Sequence, residues 1–243
     1  MRIFERIKNR IQNRNASERK AIVFSIGENC LTDDILKRNG LKSFSSPYAS
    51  SRSNVEYVLA FEEERFRDFL NPEFLRDEEA FGKAVVRNKK YVAVKNTYHS
   101  SCTNGFEFTH HNVLSDDKAR ETFERRCQRL LDLEGYDITL VYHHRMCEQT
   151  DEKLLGRHLA QLAKIYANKK NRVRIFAFTQ VLVEDPSERR VEKYKQGEIC
   201  FYRFYTLHEW GGDDQDIFWA RVDDDLLQLM VEDIKNLSRR KHE

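Results

Sequence analysis

An apolar run that stops at a glycine and restarts as a helix on a cysteine constrains this chain more than any other feature. Ala21, Ile22, Val23, Phe24, Ser25 and Ile26 read as a buried strand broken at Gly27. Glu28 and Asn29 lead into Cys30; Leu31, Ile35 and Leu36 then fall on one side of a helix running to Asn39, with Gly40 as its C-cap. A thiol at a helix N-terminus meets unpaired backbone N–H groups and the positive end of the dipole, which predicts a lowered pKa and a nucleophilic thiolate. The same N–H groups suit a developing oxyanion. Cys30 is therefore the candidate nucleophile for acyl transfer, with Asn29 beside it and Gly27 as a substrate-facing turn. The alternative is a cysteine buried as a small apolar residue.

Beyond this unit the chain alternates. Tyr91 to Tyr98 reads as a strand, Asp116 to Leu133 as a helix with Phe123, Cys127, Leu130 and Leu131 on one face, and Asp137 to Tyr142 as a short strand. Asp151 to Ala167 is a helix, Arg172 to Val183 and Ile199 to Leu207 are strands, and Asp223 to Leu237 is the last helix. Helices of this length between strands predict an α/β fold, a mostly parallel sheet flanked by helices in a Rossmann-like three-layer arrangement. Residues 43–90 interrupt the rhythm with a Ser-rich loop, a helix near Asn54 to Phe61, and an aromatic and charged stretch through Phe66, Phe69 and Phe74. This is a helical and loop excursion after the first βα unit, inside a single domain spanning 21–243.

Residues 1–20 stand apart. Ile3, Phe4, Ile7 and Ile11 recur at helical spacing among Arg2, Arg6, Lys8, Arg10, Arg14, Arg19 and Lys20. A basic amphipathic segment of this kind packs against its own domain, docks on a partner, or lies peripherally on an anionic membrane. For the whole chain, 42 Lys and Arg against 40 Asp and Glu leave no field that would draw nucleic acid. The five cysteines are odd in number and contain no CxxC pair, which argues against a disulfide framework or a structural zinc site and suits a reducing cytoplasm.

In an open parallel sheet, ligands bind beyond the carboxyl ends of the strands, where Cys30 would sit. His143 and His144 would emerge at that edge, while His110 and His111 lie in a loop before the Asp116 helix. Either pair could supply the base that a thiol needs, and Asn112, Asp116, Glu28 or Asp33 could orient it. The residues alone leave these choices open. Arg125 and Arg126 could clamp a phosphate or carboxylate of a substrate such as coenzyme A or an acidic sugar; a solvated helix face is the plainer reading.

The run Phe24 to Cys30, continued by Leu36 to Lys42 and Ser45 to Pro47, resembles the opening block of the bacterial papain-like cysteine peptidase family. Phe106 and Phe108, then His110, His111 and Asn112, then Phe123 to Leu130 with its paired arginines, resemble that family's second block. The resemblance covers about 21–142 and implies Cys30 as nucleophile and His110 as base. It departs after Pro47, where the family continues with an aromatic residue, Asp and Trp and this chain has Tyr48, Ala49 and Ser50. The strand, glycine, cysteine and helix order also resembles the first block of the SGNH or GDSL hydrolases with sulfur in place of oxygen. Their Asp-x-x-His is missing; only Glu107 precedes His110 at that spacing.

Together these readings predict a cysteine-dependent hydrolase or acyltransferase acting on a small-molecule, sugar or peptide substrate, with a role in surface-polysaccharide metabolism implied by the resemblance. No cofactor is required, although coenzyme A or a similar acyl donor fits the chemistry. The alternatives are a non-catalytic polysaccharide- or partner-binding module and, behind it, a metalloenzyme built on the four paired histidines.

Overall fold

The computed structural model describes residues 19–80, 82–92, 97–211 and 213–239. Of the basic segment read over 1–20, residues 1–18 lie outside them. The first strand, β1 (Ala21–Ser25), is followed by α1 (Cys30–Arg38) and α2 (Val55–Glu63). A hairpin β2 (Leu75–Ala80) and β3 (Lys83–Asn88) and the short β4 (Phe106–Phe108) come next. After α3 (Asp117–Leu131) the chain runs through β5 (Asp137–His144), α4 (Glu152–Ala167), β6 (Arg172–Leu182), β7 (Arg190–Gln196) and β8 (Ile199–Thr206). It closes with the short α5 (Gln215–Phe218) and with α6 (Asp224–Arg239).

The main sheet has the order β1-β5-β6-β8-β7, parallel throughout except for the antiparallel edge strand β7. Helices cover both faces. On one side Leu31, Ile35 and Leu36 of α1 and Leu227, Met230, Val231 and Ile234 of α6 pack with Val23, Val141, Phe176 and Phe204. On the other, Tyr57, Val58 and Phe61 of α2, Phe123 and Leu130 of α3, and Leu159, Leu162 and Tyr166 of α4 pack with Phe24, Leu140 and Ile175. The alternation of inward and outward residues along β1 and β5 assigns each side chain to one of these two cores. The predicted α/β architecture is the observed one.

The excursion is more ordered than its polarity suggests. β2, β3 and β4 form a second, antiparallel sheet. Its Phe106 and Phe108 join the same core cluster as the α2, α3 and α4 side chains. Phe69 meets Phe106 at 4.9 Å and Phe108 at 5.3 Å between ring centroids, largely edge to face. Of the strand expected at Tyr91 to Tyr98, residues 93–96 lie outside the described residues, and Tyr91, Val92, Thr97 and Tyr98 lie outside any strand; β3 ends several residues earlier, at Asn88. Gly105 marks why β4 starts where it does. It has φ +85° and a Cβ there would stand 2.5 Å from the Asn88 carbonyl oxygen, so the chain can pass only without a side chain.

Candidate functional site

Cys30 is the first residue of α1. Asn29 is its N-cap and accepts the Leu31 amide on Oδ1 at 3.0 Å. Gly27 makes the turn at φ +113°, a conformation that favours glycine, and its carbonyl accepts the Thr32 hydroxyl at 2.9 Å and the His143 amide at 3.0 Å. Gly27 is buried and its polar groups build the turn, so it does not present the substrate-facing surface expected of it. Asn29 likewise fixes the helix start.

The imidazole that meets Cys30 comes from the small sheet. Arg52 and Glu107 exchange backbone hydrogen bonds at 3.0 and 2.9 Å, tying the Ser-rich loop to β4. The Ser53 amide donates to the Glu28 carbonyl at 2.8 Å, which ties the same loop to the β1 turn. Just past β4 the chain turns, with the His111 amide donating to the Phe108 carbonyl at 3.2 Å. This brings the exposed His110 to Cys30, with Nε2 3.5 Å from Sγ. A sulfur hydrogen bond is long, so this separation is one of direct contact.

The other candidate bases are elsewhere. His143 lies at 3% exposure, stacked on Phe178 at 4.8 Å, and burial pushes its pKa down to about 4. His111 sets its ring against Phe123 at 5.3 Å, with burial first and the nearby Arg126 guanidinium second holding its pKa down. His144 is fully buried on the opposite face of β5, where its Nδ1 is 2.9 Å from Glu28 Oε1. Sequence parity alone sent the adjacent histidines to opposite faces, and the flanking layers then buried both.

None of the four groups expected to orient the base touches His110. Glu28 accepts from the Tyr142 hydroxyl at 2.8 Å and the Arg145 amide at 2.9 Å; burial pushes its carboxyl up, but His144 and the Arg145 amide hold it below the usual range. Asp116 caps α3, Asn112 caps its own turn through Leu114 and Ser115, and Asp33 pairs with Lys42 at 2.6 Å. Glu107 is a further acidic residue whose charge reaches Cys30. It is buried, bonded to Arg87, and accepts the Thr109 hydroxyl at 3.0 Å, next door to His110. The only advance signal for it is its spacing three residues before His110. Arg52, 3.9 Å from Glu107, carried no signal.

The surroundings of the thiol overturn the expected resting thiolate. Burial first, and the Asp33 carboxylate second, push the Cys30 thiol up to about 11, against the opposite pull of Arg52. The dipole of one short helix does not outweigh them. Cys30 therefore rests as a protonated thiol near neutral pH, with Sγ against Nε2 of His110.

The paired arginines divide. Arg126 is half-buried, lies over the Phe123 ring at 5.1 Å, and has an Nη1 without a hydrogen-bond partner among the described residues. Arg125 is exposed on a shallow depression with Arg129, Asp132 and Tyr136. Among the described residues no three His, Cys, Asp or Glu side chains come together as a metal set. No described helix is long and apolar enough to cross a membrane.

Residues 21–186 match the family profile described as "Putative papain-like cysteine peptidase (DUF1796)", more than half of the chain. The chain belongs to this family. Cys30, His110 and both arginines fall inside the matched region. Neither a curated protein nor a solved structure matches the chain.

Proposed function

We propose that this family member is a cysteine-dependent acyl-transfer enzyme in which Cys30 is the nucleophile and His110 the general base. The observation that carries the reading is the 3.5 Å contact between Sγ and Nε2, made by residues 80 positions apart in sequence. As Sγ attacks a substrate carbonyl carbon, its proton passes to His110 Nε2. The imidazolium then protonates the leaving amine, alkoxide or thiolate, and a thioester remains on Cys30. In the second half His110 takes a proton from the acceptor hydroxyl, and the acyl group leaves Cys30, whose thiol is restored. With water as acceptor the enzyme is a hydrolase; with a sugar hydroxyl it is an acyltransferase.

The first turn of α1 supports the oxyanion. Helix geometry gives its leading amides no carbonyl within the helix, and Asn29 occupies that of Leu31. With Thr32 fully buried, the amide of Cys30 is the donor assigned to the oxyanion. Asn29 acts as a positioning residue, and Arg126 receives a carboxylate or phosphate on the substrate, which would satisfy its Nη1.

The test is turnover of a panel containing a p-nitrophenyl ester, a peptide p-nitroanilide, an acyl-coenzyme A and an O-acetylated sugar, the last chosen for a role in surface-polysaccharide metabolism. At least one substrate turns over, and Cys30→Ala and His110→Ala each reduce kcat by at least ~100-fold with the fold retained, in line with the usual worth of acid–base assistance. Undiminished turnover in Cys30→Ala would overturn the assignment.

A further inference from the structure

A large apolar groove lies at the opposite end of the sheet from Cys30. It has a volume of about 770 Å³ and runs under Ala21, Asp137, Arg172 and Ile199, the first residues of the four parallel strands. Its apolar wall is made by Ile138, Val173 and Leu237 and by an alanine stripe on α4, Ala160, Ala163 and Ala167, of which Ala160 and Ala167 are exposed. Alanines at this spacing leave a shallow helix face against which another helix can approach closely. Nothing in the catalytic chemistry requires an apolar groove at this edge.

We propose that this groove is the docking site of the chain's own residues 1–18. The chain enters β1 at Ala21, which itself lines the groove, so the segment starts beside its site. Ile3, Phe4, Ile7 and Ile11 fall within an arc of about 100° on a helical wheel, the width of one packing face. A helix over Ile3 to Ile11 is about 13 Å long, and the residues between Ile11 and Ala21 reach up to about 30 Å, enough to turn back under the sheet. Lys164, Arg172 and Arg174 share the rim with Asp137 and Glu198. Net charge does not select the segment; its apolar face against the alanine stripe does. On the same wheel Arg2, Arg6 and Lys8 fall outside that arc, Arg2 nearly opposite its centre.

Limited digestion of the full chain with an arginine-specific protease tests this, reading the cleavage rate after Arg6, Arg10 and Arg14 by mass spectrometry. Ile7→Asp, which spoils the apolar face, and Ala160→Lys, which crowds the alanine stripe, each accelerate cleavage at least tenfold, and the double variant no further. Ala167→Lys, at the other exposed stripe position, gives the same release and serves if Ala160→Lys fails to fold. Protection in the wild-type chain is independent of protein concentration. A wild-type chain cut as fast as Ile7→Asp overturns the proposal, as does a groove variant that folds yet stays protected. Protection lost on dilution assigns the segment to a second copy instead. Protection that appears only with vesicles containing phosphatidylglycerol assigns it to a membrane surface; either result overturns docking within the chain.

Discussion

The protonation state of the resting pair gives the sharpest quantitative consequence. With the Cys30 thiol pushed up to about 11, the thiolate fraction at pH 8 is roughly one in a thousand, against about a quarter for an ordinary cysteine near 8.5. Iodoacetamide should therefore modify Cys30 a few hundred times more slowly at pH 8 than a free thiol, with a rate that climbs through pH 10. The perturbation is His110→Ala. In a neutral pair the thiol donates to Nε2, a bond that stabilises the protonated form by about 1 kcal/mol, or about 0.7 of a pKa unit. Its removal lowers the midpoint by less than about one unit. A thiolate–imidazolium pair behaves oppositely: the wild-type midpoint lies below 8 and His110→Ala raises it by several units. The assay is the pH dependence of Cys30 alkylation followed by peptide mass spectrometry, in a chain whose other four cysteines are replaced by serine or alanine. A wild-type midpoint below 8 that rises in His110→Ala would refute the reasoning.

Other outcomes follow from groups around the site. Glu62 is buried at 4% exposure, bonded by the Tyr166 and Tyr48 hydroxyls at 2.6 and 3.2 Å, and burial raises its pKa to about 7. A carboxyl raised in the folded state binds its proton more tightly there, so its penalty is absent below about pH 4.5 and grows as pH rises to about 7. Glu62→Gln accordingly stabilises by up to about 3 kcal/mol at pH 8 and by little at pH 4.5, read from urea midpoints. Glu28 has the opposite sign: its pKa is lowered, so its contribution is present above the usual carboxylate range and is lost as pH falls. Glu28→Ala strands His144, Tyr142 and the Arg145 amide, and should cost about 3 kcal/mol or more at pH 7 in the same assay. Arg126→Ala should raise KM about tenfold or more for a substrate bearing a carboxylate or phosphate and leave a neutral ester unchanged.

Much of this was legible in the sequence, for identifiable reasons. The β1 run, the Asn29 cap and the heptad-like faces of α3, α4 and α6 carry their periods openly because each buries one side only. β2 and β7 do not. Their residues, Leu75–Ala80 and Arg190–Gln196, are mostly exposed and charged, and they are strands because a neighbour pairs with their backbone. At Tyr91, Val92, Thr97 and Tyr98 the expected strand is absent for the same reason in reverse, since local composition could not reveal that the pairing segment is β3, between β2 and β4.

At the site, Cys30 could be placed by local signals because one turn and one helix start define it. Which histidine lies at the thiol could not. His110, His111 and His143 are equivalent as residues, and what separates them is tertiary: β5 is covered on both faces, whereas the turn after β4 stays open. The family resemblance pointed to His110 where spacing could not. The thiol's protonation was misjudged because the helix terminus is visible in sequence, while the burial and the Asp33 carboxylate beside it are properties of the packed molecule.

The central claim is that Cys30 attacks acyl groups with His110 accepting its proton. Brief exposure of the full chain to p-nitrophenyl acetate at pH 7.5, quenched in acid and mapped by intact-peptide mass spectrometry, tests it directly. The account predicts a 42 Da acetyl increment, about the mass of one acetyl group replacing a proton, on Cys30 in the wild-type chain and its loss in His110→Ala. Acetyl on other residues with Cys30 unmodified, or equal labelling of Cys30 with and without His110, would contradict it.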